Sequence, residues 1–126
     1  MNDLTKEWVD KAEGDFVTAI ELLNLRFDLT TDAICFHCQQ CAEKYAKAYL
    51  HQRFVEFPRT HNLAQLLSLC EEQDLDFSLI ELEMRTLGNY SVDIRYPGRQ
   101  TNIEEAELAV QMMNVIRNFI RLRLGL

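Results

Sequence analysis

The chain of 126 residues is the size of one domain, with 48% apolar residues, 26% charged residues, four Gly and two Pro. That composition excludes disordered, collagenous and low-complexity classes, because enough apolar surface exists to offset chain entropy. The 13 Lys and Arg against 20 Asp and Glu give a net charge of −7, the wrong sign for a protein that coats nucleic acid over its whole surface.

A local basic site stays open, because the charge is patchy. Acids gather at Asp3 to Glu21, Glu71 to Glu83 and Glu104 to Glu107, with Lys44, Lys47, Arg53, Arg59, Arg85, Arg95 and Arg99 between them. No apolar run approaches the roughly 20 residues that cross a bilayer, and the opening Met1-Asn2-Asp3-Leu4 is no secretory signal. The expectation is a soluble, cytoplasmic protein with Cys35, Cys38, Cys41 and Cys70 reduced.

Helical periodicity runs through almost the whole chain. Leu4, Trp8, Ala12, Phe16, Ala19, Ile20 and Leu23 recur at spacings of three and four, which predicts a first helix to about Leu25 with one apolar stripe. Asn2 or Asp3 is placed to cap it. Thr30 and Thr31 then offer capping hydroxyls to a second helix, from about Thr31 to Gln52, that is apolar nearly all round. Such a helix is central to a bundle or also faces a partner chain.

After Pro58, Thr60-His61-Asn62 opens a third helix with Leu63, Leu66, Leu67 and Cys70 inward. Ser78-Leu79-Ile80-Glu81 reads as the capping box of a fourth helix that ends at Gly88. An irregular segment from Asn89 to Gln100 follows. Thr101-Asn102-Ile103-Glu104 is a second capping box, and Ala106, Ala109, Met113, Ile116 and Ile120 form the seam of the last helix. The fold class is therefore all-α: residues 1–126 form a single up-and-down bundle of about five helices, three long and two short.

In an apolar helix the polar residues draw attention. His37, Gln40, Lys44 and Lys47 share one face of the second helix, with Glu43 beside them in i, i+4 register with Lys47. They are ligand-site candidates, or buried hydrogen bonds that set helix packing. Arg95-Tyr96-Pro97 is the second candidate, placed to hold a phosphate or carboxylate and stack a base, or else to anchor the loop. His61, at a helix start, is a ligand donor or an entry contact.

Cys35, His37, Cys38 and Cys41 spread around a helix and cannot converge on one metal ion, so buried thiols are expected and no metal or cofactor. Arg117, Arg121 and Arg123 suit the negative end of the last helix, as a solvated face.

Phe36-His37-Cys38-Gln39-Gln40-Cys41-Ala42-Glu43-Lys44-Tyr45-Ala46-Lys47-Ala48 resembles the Phe-His-x-Gln-Gln-x-x-Glu-Lys-x-x-Lys-Ala helix of HEPN domains. Pro58-Arg59-Thr60-His61-Asn62-Leu63 is similar to that family's Thr-His-(Asp/Asn)-Leu helix start, and Arg95-Tyr96-Pro97 to its Arg-Tyr-Pro loop. Trp8, Ala12, Asp15 and Leu22-Leu23 match in order, so the resemblance spans essentially the whole chain.

The resemblance implies a short helical bundle, a homodimer, a nucleotide or RNA ligand, and pairing with a small nucleotidyltransferase chain. Many relatives are ribonuclease toxins whose site is an Arg followed four to six residues later by a His near the start of the last helix. Here Arg95 and Arg99 are followed by Gln100, Thr101, Asn102 and Glu104, so the general acid/base is missing. The expected function is a non-catalytic nucleotide- or phosphate-binding module at His37, Gln40, Lys44, Lys47, His61, Arg95 and Tyr96. It would act with the nucleotidyltransferase in a toxin–antitoxin-like pair. The alternatives are a divergent ribonuclease toxin using His61 or His37 with Arg95, or a dimeric interaction protein with no ligand. Apolar surplus on the second helix, and on the last at Leu108, Val110, Met112, Val115, Phe119 and Leu122, adds to the expectation of a homodimer.

Overall fold

A computed structural model describes residues 1–90 and 97–126. It contains α1 (Asp3–Leu25), α2 (Thr31–Gln52), α3 (Leu63–Gln73), α4 (Glu81–Gly88) and α5 (Ile103–Arg123), and no strand among the described residues. Short 3-10 segments at Asp28–Thr30 and Leu75–Ile80 precede α2 and α4. Helix α2 runs through the middle, packed mainly against α1 and α5, with α3 and α4 closing the remaining side.

The reason is its composition. Ile34, Cys35, Cys38, Cys41, Ala42, Tyr45, Ala46, Ala48, Tyr49 and Leu50 are all buried, so small thiols and alanines let neighbouring helices approach from several sides. One chain thus covers most of the apolar perimeter of α2, leaving Ala33 exposed and Phe36 half-buried. On α5 the seam residues Ala106, Ala109, Met113, Ile116 and Ile120 are buried as expected, and so is Val110. Leu108, Val115 and Leu122 do remain exposed.

The stripe on α1 is rotated from its expected centre. Thr5, Val9, Ala12, Asp15 and Ala19 are the buried positions, whereas Leu4 is exposed and Trp8, Phe16, Ile20 and Leu23 are half-buried. The cause is polar. Thr5 Oγ1 meets His51 Nδ1 at 2.7 Å, and Asp15 meets two α2 side chains, so the face turned to α2 is chosen by hydrogen bonds as well as by apolar area.

Two predicted capping boxes do not form. Asp74 accepts from the Asp76 N–H at 2.9 Å and starts a 3-10 turn, and Phe77 locks that turn by packing on Tyr49 and Phe119. Helix α4 therefore begins only at Glu81, with no side-chain cap. At α5 the cap is Asn102, which accepts from the Glu105 N–H at 2.8 Å. Thr101 is buried one residue earlier, donating its N–H and hydroxyl to Asp32 at 2.9 and 2.7 Å while its carbonyl accepts from Thr31 at 3.0 Å. That clasp ties the starts of α2 and α5 together. Thr30 and Thr31 likewise bond Phe27 and Asp28 carbonyls rather than capping α2. Asn2 caps α1 and Asn62 caps α3, each by accepting an N–H three residues on.

Candidate functional site

The polar arc of α2 is divided between two carboxylates. On the α1 side, Asp15 accepts from His37 Nδ1 at 2.8 Å and from Lys44 Nζ at 2.6 Å. The Asp15 side chain is 10% exposed, and both partners are largely covered. On the α3 side, Glu43 is buried and accepts from Lys47 Nζ at 3.0 Å, His61 Nδ1 at 2.9 Å and Gln39 Nε2 at 3.3 Å. Gln39 also donates to the His61 carbonyl at 3.2 Å and accepts from Gln40 at 2.7 Å. The i, i+4 pair of Glu43 and Lys47 was readable from spacing; Asp15 as a joint acceptor and Gln39 as a bridge to another helix were not.

The candidates therefore fall into groups. His37 and Lys44 share Asp15; Lys47 and His61 share Glu43, with Gln40 joined through Gln39. Lys47 is sealed, its ammonium 5.4 Å from the Trp8 ring centroid and its side chain 8% exposed. Arg95 and Tyr96 lie outside the described residues.

His61 differs from every other member, because its side chain is 64% exposed. A carboxylate only accepts, so the bond to Glu43 puts a proton on Nδ1 and leaves Nε2 on the outer edge of the ring. Asn62, the next residue, lines a cavity of about 370 Å³ together with Ala64, Arg85, Thr86, Gly88 and Asn89. The volume lies in the range of small-molecule sites. Its lining offers a guanidinium and two carboxamides, donors suited to an anion, while the Thr86 hydroxyl donates to the Leu82 carbonyl at 2.8 Å. Arg85 is more than half exposed and holds Glu81 at 2.9 Å. This cavity was not anticipated: Arg85 and Asn62 are far apart in sequence, and no local motif joins them.

The three arginines of α5 are not a solvated face. Arg117 grips Glu13 with two bonds of 2.7 and 2.6 Å and lies over Phe16, 4.1 Å from the ring centroid. Tyr45 donates to the same carboxylate at 2.6 Å and accepts from Arg121 at 3.0 Å. The Arg117 hydrogen bond holds Glu13 below the ordinary carboxylate value. Arg123 reaches Asp74 at 3.0 Å and covers Phe119. These pairs stitch α5 to α1 and to the 3-10 segment before α4.

The four thiols are free and buried. Desolvation raises Cys35 to about 11 and Cys70 to about 12, and pushes Cys38 and Cys41 further up. They are apolar filler, with little thiolate to offer a metal or an electrophile. No group of three potential metal ligands occurs among the described residues, and no helix there is long and apolar enough to cross a membrane.

The described residues form an all-α bundle whose central helix carries Phe-His-x-Gln-Gln-x-x-Glu-Lys, with its carboxylate reaching the His of a Thr-His-Asn helix start. The chain belongs to the HEPN domain family, whose pattern matches residues 5–123. No curated protein and no solved structure matches it.

Proposed function

We propose that this HEPN-domain protein is a non-catalytic module that binds a nucleotide or other phosphorylated ligand beside His61. The observation that carries the reading is the cavity lined by Arg85, Asn62, Thr86 and Asn89, with His61, the residue before Asn62, exposed and held through Nδ1 by buried Glu43. Glu43 fixes the ring; Arg85 supplies the charge, and the Asn62 and Asn89 amides supply orientation. His37 and Lys44 then serve packing through Asp15. Titration calorimetry with ATP and with inorganic phosphate tests this. Arg85→Glu is expected to weaken binding by about tenfold or more, the loss of one charge-assisted contact. Equal binding by wild type and Arg85→Glu would move the ligand elsewhere.

The chemistry would belong to a separate nucleotidyltransferase chain, the pairing that the family resemblance implies, in a toxin–antitoxin-like system. A homodimer joined along α5 completes the reading, supported by exposed Leu108 and Val115 on one face of that helix. Co-purification of the two chains and sedimentation of wild type against Val115→Lys test the two contacts. A monomeric wild type at micromolar concentration would remove the dimer.

The Glu43–His61 pair also favours a second reading, because a carboxylate-oriented imidazole is the arrangement of a general base. RNA cleavage abolished by His61→Ala, but not by His37→Ala, would replace binding with ribonuclease activity. Intact RNA after prolonged incubation would dismiss it.

A further inference from the structure

The segment that closes the bundle under α3 carries an apolar face that the chain leaves open. Within eight residues, Leu75, Leu79 and Leu82 are 82%, 72% and 71% exposed, while Phe77, Ile80 and Met84 alternate with them into the core. The inward set explains why the segment folds as it does; it does not explain why the outward set is leucine. Serine or lysine at those positions would leave the core intact and remove the apolar patch. The step of three residues from Leu79 to Leu82, where the 3-10 segment passes into α4, sets those two leucines on one ridge of the kind the groove of a packed helix accepts, with Leu75 exposed at the start of the same segment.

The charge around the ridge says what kind of helix fits. Residues 71–83 contain Glu71, Glu72, Asp74, Asp76, Glu81 and Glu83 and no Lys or Arg. Two bases reach this acidic stretch, Arg85 on Glu81 and Arg123 on Asp74 and Asp76, so the acids outnumber them. A second copy of the chain on this ridge, related by a two-fold axis, would set acid against acid. We infer that the ridge of Leu79 and Leu82, with Leu75 exposed beside it in the chain, is a docking surface for an amphipathic helix of another protein, one with an apolar stripe flanked by Lys and Arg. The inference does not depend on the ligand beside His61.

The test uses the intact protein and a synthetic helical peptide with Leu at i, i+3, i+4 and i+7 and Lys elsewhere, labelled for fluorescence anisotropy. A scrambled peptide of the same composition is the control for bulk charge. The helical peptide is expected to bind at least about tenfold more tightly than the scrambled one, and Leu79→Ser with Leu82→Ser to abolish that difference. Glu81→Gln with Glu83→Gln is expected to weaken binding and flatten its salt dependence. Both pairs change exposed or half-exposed side chains, and circular dichroism verifies that the variants fold. Equal binding of the two peptides, or a preference that survives the leucine substitutions, overturns the proposal. A wild-type dimer that becomes monomeric with Leu79→Ser and Leu82→Ser also overturns it, because a second copy would then be the occupant.

Discussion

Asp15 and Glu43 do the same chemistry to opposite ends. Each is a covered carboxylate that accepts from the Nδ1 of a histidine and the ammonium of an α2 lysine. At Asp15 the histidine is on the central helix, 29% exposed, and the contact joins α1 to α2. At Glu43 the histidine comes from a helix start on another segment and stands 64% exposed. A carboxylate–imidazole pair is therefore no functional signal by itself. What distinguishes the two is how much of the ring is left exposed.

The contrast is sharpest when each acid is removed. Glu43→Ala leaves Lys47 in a site where its side chain is 8% exposed, with no counter-charge, and also strips the acceptor from Gln39. Breaking a buried pair in this way costs about 3–5 kcal/mol, read as a fall in urea midpoint at unchanged slope. The double variant Glu43→Ala with Lys47→Met should recover much of that loss, because no isolated charge stays behind. Asp15→Asn should cost less, about 1–3 kcal/mol, since Lys44 is 23% exposed and water can take over part of its solvation. If the Asp15 variant proves the more damaging, the ranking by burial is wrong.

Two further carboxylates, Glu13 and Glu105, are expected to contribute to the acid limit. The Arg117 hydrogen bond holds Glu13 lower in the folded protein than in the unfolded chain, and Arg99 does the same for Glu105. The stability each contributes is present above the unfolded carboxylate value, about 4.3, and is lost as pH falls through the lower folded value. Thermal melts between neutral pH and pH 3 should show a fall confined to the acid end, shallower in Glu13→Gln than in wild type. An equal slope in both would assign the acid limb to other groups.

The smallest effect concerns the thiols. With Cys35, Cys38, Cys41 and Cys70 buried and their acidity suppressed by burial, none should react with a thiol reagent on the minute scale in the folded state, and all four after unfolding. A fast-reacting native thiol would contradict the packing around α2.

Most of the fold was legible because it rests on local periodicity. The bounds of α1 and α2, the seam of α5 and the inward residues of α3 follow from spacing alone. The errors arose where a distant contact overrode a local preference. Thr101 had a capping pattern but is held by Asp32, nearly seventy positions away, and Ser78 had one but lies in a turn locked by buried Phe77. The stripe on α1 was misplaced because Thr5 and Asp15 count as polar until their partners on α2 are known. The candidate site divides similarly: His37, Lys44, Lys47 and His61 stood out as polar residues in apolar surroundings, whereas the neighbouring cavity needs α3 and α4 side by side, and no motif in the sequence states that pairing.

The measurement that tests the distinction most directly is ATP calorimetry paired with thermal melting on His61→Ala and His37→Ala. The account predicts that His61→Ala loses binding by about tenfold or more with a melting temperature close to wild type, whereas His37→Ala lowers the melting temperature and still binds. The reverse pattern, with binding lost at His37 and retained at His61, would contradict it and move the ligand to the Asp15 side of α2.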